Sequence, residues 1–462
     1  MKHYDLRVVH LLDPNRKLER SCGGHGWPLL VLVDGTGQIR YKTNNLVEKI
    51  QGEITPILES MLPQTAAAKP IVRNGVPYMS VTLKRSGEVD EPKARDRFPA
   101  IACGPDGRVY LAFTRDEGAN SDVYLRVYDG TKWSEDCPVA ATEFDEYDPS
   151  LAVNRQGRLW IAWASNAEKS HYNIYVANLK ESAEPIRATR VTDADDDAMR
   201  GRLAVQDDGT VWLAYYRWLR MGLSNRSRDK EIYVRRWTGT AWSDEMHVSP
   251  EDVPRYEDHS DPAIATRGNK VVVAWNWDFH RVKGYTTNAA GPTIFFREVN
   301  TEGPQGRTTD LSCRDIDVTP ALAIDGAGQI VCAWDSLGYD RESRLERKNL
   351  MTRIYDLATR EVSPYAKKMR SGLVNVCTPN FATDPKGDLS LIWSETANGT
   401  DWSVCRMNFE ARTEDWSKVG TVESEVRPRF PAAAYDSKGR LWVAYSVERD
   451  GERRIEARAL EK

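Results

Sequence analysis

Seven segments of this 462-residue chain can be laid over one another, and a repeat at that period constrains the fold more than any local feature does. They read FPAIACGPDGRVYLAF from Phe98, DPSLAVNRQGRLWIAW from Asp148, RGRLAVQDDGTVWLAY from Arg200 and DPAIATRGNKVVVAW from Asp261. TPALAIDGAGQIVCAW from Thr319, TPNFATDPKGDLSLIW from Thr378 and FPAAAYDSKGRLWVAY from Phe430 complete the set. One anchor position holds Pro99, Pro149, Gly201, Pro262, Pro320, Pro379 and Pro431, spaced by 50, 52, 61, 58, 59 and 52 residues. In each segment a short apolar run meets a Gly-containing turn and then an alternating run, the pattern of a β-hairpin. Gly107, Gly157, Gly209, Gly328, Gly387 and Gly439 share one turn position, where a tight turn needs positive φ. The second run ends on a small residue beside a large ring: Ala112-Phe113, Ala162-Trp163, Ala214-Tyr215, Ala274-Trp275, Ala333-Trp334 and Ala444-Tyr445, with Ile392-Trp393 as the variant. Tapering, face-packed sheets require that alternation.

A third run follows in each unit, as DVYLRVY from Asp122, NIYVANL from Asn173, EIYVRRW from Glu231 and TIFFREV from Thr293. Two of these continue into a turn and a Trp, DGTKWS (Asp129 to Ser134) and TGTAWS (Thr238 to Ser243), before a fourth short strand. The expectation is an all-β, seven-bladed β-propeller of four-stranded blades over residues 98–462, with a small α/β segment ahead of it. The chain stops at Lys462 just after the third strand of the last unit, and an open ring would expose a sheet edge. Residues 66–97 are therefore read as a linker whose segment VPYMSVTLK, Val76 to Lys84, supplies the missing outer strand.

Residues 1–65 read differently. Strands are expected at Asp5 to Leu12, Pro28 to Val33 and Ile39 to Tyr41, then a helix near Leu46 to Leu62 with Val47, Ile50, Ile54, Ile57, Leu58 and Met61 as its apolar stripe. The stretch GWPLLVLVDGTGQIRYK, with Pro28 before a strand and the Asp34 to Ile39 hairpin after it, resembles the C-terminal half of a thioredoxin-like domain. That resemblance covers about an eighth of the chain; the family's earlier strand, helix and CxxC are missing, and Cys22 alone cannot cycle a dithiol. An upstream extension of the gene would carry a signal peptide, so the expected setting is extracytoplasmic, periplasmic or secreted.

Lys and Arg number 64 against 68 Asp and Glu, a net charge of −4, so no strong field points to nucleic acid or an anionic membrane. The longest apolar run, Trp27 to Val33, is far short of the roughly 20 residues a membrane helix needs. Seven cysteines lack CxxC or CxxxxC spacing, so neither a metal site nor a cofactor is implied; Cys103, Cys332 and Cys405 sit in strand runs and read as small apolar residues. Trp and Tyr (15 and 19) outnumber Phe (9), a bias toward rings with a polar handle that suits a ligand-binding surface.

In a propeller the loops entering the first strand and leaving the second gather at one end of the central channel, the usual binding face. Entering residues include Arg97, Asp148, Arg200, His259, Asp261 and Arg429; leaving residues include Arg115, Asp116, Asn166, Tyr216, Arg217, Trp218, Asn276, Trp277, Asp278, His280, Arg281, Asp335 and Glu395. Arginines, carboxylates and indoles converging on one mouth suit a hydroxyl-rich or carboxylate-bearing ligand, with sugars and uronates the leading class.

The first unit, DRFPAIACGPDGRVYLAFTRDEGANSDVYLRVYDGTKWS, resembles the sialidase or BNR (Asp-box) superfamily in its R-x-P strand, D-G turn, Arg/Asp loop and D-G-x-x-W box. The resemblance implies a glycoside hydrolase in which Arg97 binds a carboxylate and Asp116 is the acid/base group, with Arg217 and Arg281 candidates for further arginines. The box at Asp129 to Trp133 and Thr238 to Trp242 lacks the family's Ser and first Asp, and sialidases have six blades. Polysaccharide lysis is the alternative chemistry, with His280 or Tyr216 moving the proton while Arg217 or Arg281 neutralises a uronate. Asp258-His259-Ser260-Asp261 reads as a turn cap or a cation site. A recognition platform for a protein or other ligand, without catalysis, is the competing class.

Overall fold

The computed structural model describes residues 95–460 apart from 118–119, 168–170, 181–185, 194–195, 221–227, 251–256, 280–291, 313–315, 341–344, 371–374, 398–399 and 450–451, together with 30–33, 39–43, 71–73 and 76–78. Every regular element among them is a β-strand, and no helix among them could cross a membrane. The chain divides into two compact units, residues 1–91 with 341–346, and 92–340 with 347–462.

In the first unit Leu30–Val33 pairs antiparallel with Ile39–Thr43, the two strands expected on either side of the DGTGQ turn. The strand expected at 5–12 and the helix near 46–62 lie outside the described residues. Val76–Tyr78 pairs with Ile71–Arg73 in a hairpin of its own, and residues 79–84 of the expected closing strand are again outside the description.

The second unit holds the repeats, and each forms an antiparallel meander. The first strands are Arg95–Cys103, Glu146–Val153, Asp197–Val205, Glu257–Arg267, Ile316–Ile324, Asn375–Thr383 and Arg429–Tyr435. Each hydrogen-bonds to the strand that follows it, and that strand to a third. Six of the third strands have a short fourth strand paired outside them, from Cys137–Ala140 in the first unit to Gly420–Glu423 in the sixth. The final strand, Glu452–Leu460, instead meets the start of the first repeat through one parallel pairing, Arg453 with Arg95.

In four repeats the turn between first and second strands follows from the Asp or Asn that opens it, Asn154, Asp325, Asp384 or Asp436. Asp436 Oδ1 accepts from the Lys438 and Arg440 amides at 2.9 Å each, and Asp384 Oδ1 from those of Lys386, Gly387 and Asp388 at 2.7 to 2.9 Å. This side-chain turn reverses the chain within five residues and leaves the glycine at positive φ, from 74° at Gly439 to 97° at Gly387.

Packing between units obeys the small-and-large rule. Ala112 shares a core with Trp163 of the next unit, Ala162 with Tyr215, Ala214 with Trp275, Ala274 with Trp334 and Ala333 with Trp393. Ile392 shares one with Tyr445, and Ala444 of the last unit with Phe113 of the first. Consecutive first strands also touch in order, and Arg429–Tyr435 returns against Arg95–Cys103. Trp133 and Trp242 serve the same purpose: Trp133 meets Trp442 of the last unit edge-on, centroids 5.9 Å apart, and Trp242 meets Trp160 of the second at 6.0 Å. Cys332 and Cys405 are buried and Cys103 partly so, as small apolar residues would be.

Each first strand carries a bulge that the sequence does not advertise. Phe98, Asp148, Arg200, Asp261, Thr319, Thr378 and Phe430, the residue before each anchor, all have φ between 51° and 58°. Pairing with the second strand slips at these points, for example between Arg97 and Ala100 and between Ser260 and Ala263. A left-handed residue in a strand costs about 1–2 kcal/mol and kinks the strand so that its side chain leaves the sheet's alternation.

Trp334 is fully buried in the core joining the fourth and fifth units. Trp334→Ala should therefore lower stability by about 3–5 kcal/mol, read by urea denaturation; a loss below about 1 kcal/mol would show that the inter-unit rings are not the source of cohesion.

Candidate functional site

Antiparallel register brings the start of each first strand to the end of each second strand. Arg95 faces Asp116 and Arg97 faces Thr114; Met199 faces Tyr216; His259 faces Trp277 and Ser260 faces Asn276; Val318 faces Asp335; Val376 faces Glu395. The described entering and leaving residues thus occupy one end of their respective sheets. His280 and Arg281 lie outside the described residues.

The left-handed residues link neighbouring units at this end. Arg200 reaches Asp148 of the preceding unit at 3.5 Å and Asp261 of the following unit at 3.3 Å. Arg202 clamps Asp148 with two bonds of 3.0 and 3.1 Å, and Asn276 donates to Ser260 and Asp261 at 3.2 and 3.1 Å. Burial alone would raise the Asp148 carboxyl, but Arg202 and Arg200 outweigh it and hold it below the ordinary carboxylate range. Asp148 in turn raises Arg200 against the opposing effect of burial. On the other side of the repeat sequence, the Phe98 and Phe430 rings meet at 5.5 Å.

Tyr216 is buried, and its phenol is pushed up to about 12 by that burial, against the nearby charge of Arg200. Its hydroxyl stays protonated at neutral pH. Arg97 pairs with Asp116 at 2.8 Å, and Ser121 donates to the same carboxylate at 2.6 Å. Asp335 is buried beneath Thr319, whose hydroxyl donates to it, with Lys348 Nζ at 3.4 Å. Burial pushes its carboxyl up to about 6 despite Lys348 and Thr319.

Other residues expected at the mouth are engaged within their own sheets. Arg115 grips Asp96 at 2.7 and 3.1 Å and Asp136 at 2.7 Å, with the Tyr124 ring 4.7 Å away. Arg217 repeats the arrangement two units later, with Asp196 at 3.1 and 3.0 Å, Glu245 at 2.6 Å and Tyr233 at 5.2 Å. Both arginines tie the inner strands to an acidic residue just ahead of the outer strand. Glu395 accepts from Arg370 at 2.8 and 2.5 Å and from the Trp393 indole at 2.7 Å; these donors hold its carboxyl low even though burial opposes them. Lys230 lies over Trp218 at 5.2 Å, and Asp278 stands opposite Asp258 in the register.

His259, read from sequence as part of a turn or cation cluster, is strand-borne and 0% exposed. Trp275 donates its indole proton to His259 Nδ1 at 2.9 Å, and Trp277 stacks on the ring at 5.3 Å. With Nδ1 accepting, the neutral ring carries its proton on Nε2, and burial lowers the pKa to about 4. Its neighbours Asp258 and Asp261 are committed to Lys230 and Arg200.

No protein-family model and no curated protein sequence matches the chain. Among solved structures, it is similar to a polysaccharide lyase of family PL25, an ulvan lyase, with TM-score 0.53 and 10% identity over 80% of this chain and 94% of that one. The same lyase bound to -[GlcA(1-4)Rha3S]- gives TM-score 0.52 and 11% identity over the same shares. A protein of unknown function from Dyadobacter fermentans gives 0.49 and 12%, again over 80% and 94%. The described chain is all-β, and its repeat region shares the propeller-type fold of the ulvan lyase.

Two buried groups give the fold opposed pH dependences. In the folded chain His259 binds a proton only below about 4, against 6.5 ordinarily, so its contribution is present above 6.5 and lost as pH falls toward 4. Asp335 holds its proton up to about 6, against 3.8 ordinarily, so its contribution is present below 3.8 and lost as pH rises through 6. Each proton amounts to about 1.4 kcal/mol per pH unit, and the two slopes offset between about pH 4 and 6. Asp335→Asn should make stability rise more steeply with pH in that interval, and His259→Gln should turn the slope downward. Urea titrations at four pH values would detect this; slopes identical to the parent protein's would refute both assignments.

Proposed function

We propose that the seven units are four-stranded blades of one closed propeller and that the end bearing the left-handed residues binds an anionic or hydroxyl-rich glycan, whose glycosidic bond the protein breaks. The observation that carries this reading is the inter-unit chain Asp148, Arg200, Asp261, with Arg97, Asp116 and Tyr216 on the same ends of their strands. Arg97 and Arg200 each keep 37% of their side-chain surface exposed while held by carboxylates, an arrangement that presents fixed guanidinium donors to hydroxyls and carboxylates. The ulvan lyase that shares the fold has been solved bound to -[GlcA(1-4)Rha3S]-, which supports uronates as the first substrates to test.

In this reading Arg200, held between two carboxylates, orients the sugar through its hydroxyls, and Tyr216, protonated at neutral pH, donates to the departing glycosidic oxygen. Proton donation at that oxygen serves lysis, in which the proton beside the uronate carboxylate leaves to a base as the C–O bond breaks and a double bond forms, and hydrolysis, in which water adds at the anomeric carbon. Sialidase-type hydrolysis through Asp116 has less support, because Arg97 and Ser121 already occupy that carboxylate.

Arg200→Ala should weaken binding of a glucuronate oligosaccharide by about 10- to 100-fold, measured by calorimetry on protein whose melting is checked in parallel. Tyr216→Phe should bind as before and lose about 10²- to 10⁴-fold in product release. Unchanged binding in Arg200→Ala would remove the site; binding with no turnover on any uronate, sulfated or sialylated polymer would make the protein a recognition propeller instead.

A further inference from the structure

Six of the arginines at this end of the sheets share one property. Arg97, Arg115, Arg200, Arg202, Arg217 and Arg370 each have a carboxylate partner. Arg429, which opens the seventh repeat at the position Arg97 holds in the first, has none among the described residues. Its guanidinium lies on the ring of Trp402, 4.5 Å from the centroid, and its backbone carbonyl is held by the Ser446 hydroxyl at 3.2 Å. Trp402 begins the third strand of the sixth unit, opposite Thr396, so the pair bridges two neighbouring units.

The surroundings lack an acceptor rather than a donor. The Trp402 indole nitrogen is buried without a hydrogen-bond partner, and so is Nε of Arg97 one unit further on. Burial depresses the Arg429 pKa, and repulsion from Arg453 adds to the effect. Arg453 has only a long contact to Glu448, 3.9 Å. A half-buried cation with no carboxylate in contact, and only the weaker, longer-range pull of Glu448 against burial and Arg453, is costly, and an indole N–H left unmet adds to the cost. An anion arriving there would relieve both, since a guanidinium fixed on an aromatic face can still offer its edge to two oxygens.

We propose that Arg429 and Trp402 form the anchor for the anionic substituent, carboxylate or sulfate, of a sugar bound at this end of the propeller. This rests on the glycan reading above and adds to it the place where ligand charge is neutralised. The arc through Asp148, Arg200 and Asp261 is internally balanced and meets the hydroxyl-bearing part of the ligand. The arc from the sixth unit through the seventh to the first supplies the missing positive charge.

Calorimetric titration with glucuronate and sulfated oligosaccharides, beside their carboxyl-reduced and desulfated counterparts, tests this on the full chain. Arg429→Ala should lose about 10- to 100-fold in affinity for the charged ligands and little for the neutral ones. Arg429→Lys should recover part of the loss, and Trp402→Phe, which keeps the ring and drops the N–H, should lose a few-fold. Which treatment of the sugar abolishes the preference identifies carboxylate or sulfate as the bound group. Equal affinities for the parent protein and Arg429→Ala, with both variants folded, would overturn the anchor and leave the glycan site standing, as would a parent protein that binds charged and neutral sugars alike. If the parent protein binds no glycan of either kind, both readings fall.

Discussion

The repeat region depends on one packing relation: a large ring inside each second strand set against a small side chain of the unit before it. Flat sheets stacked face to face need residues of complementary size, because protein interiors tolerate neither voids nor overlap. Trp163, Tyr215, Trp275, Trp334, Trp393, Tyr445 and Phe113 fill that role in turn. Where the partner is Ile392 in place of alanine, the opposing ring is Tyr445 rather than a tryptophan. The last core joins Ala444 to Phe113, so the first and last repeats meet by the same contact that joins every other pair.

Much of this was legible in the sequence. Hairpins, turn glycines and the alternation of Ala with Trp or Tyr all come from short-range pattern, and local pattern reports local structure well. The bulges were not legible, because a residue at positive φ is normally flagged by Gly or Asn, whereas here it is Phe, Asp, Arg or Thr. Tertiary contacts hold these residues in place: Arg200 between two carboxylates, Phe98 against Phe430.

The site was legible as a list of polar residues at the right strand ends, and illegible as to partner. Asp136 and Glu245 lie 21 and 28 residues beyond the arginines they bind, and nothing in the intervening sequence marks the pairing. Arg115 and Arg217 therefore look in sequence like Arg97 and Arg200, although their guanidiniums brace the sheet. His259 shows the same limit: a histidine between Asp258 and Ser260 suggests a polar turn, yet its ring is sealed between Trp275 and Trp277. Arg429 could be distinguished only by the lack, among the described residues, of an acid in contact with it, which is a property of three-dimensional neighbours.

The bulged first strands separate two tasks that most β-proteins must combine. In an unbroken strand every side chain belongs to one packed face or the other, and changing it disturbs a core. One extra residue per strand frees a single side chain from that obligation, and the repeat does this at seven equivalent places. Those seven places already hold four different chemistries, from phenyl to guanidinium, on near-identical backbone. Drift in ligand preference among related chains should accordingly concentrate at these positions, while the wedge of rings behind them changes slowly.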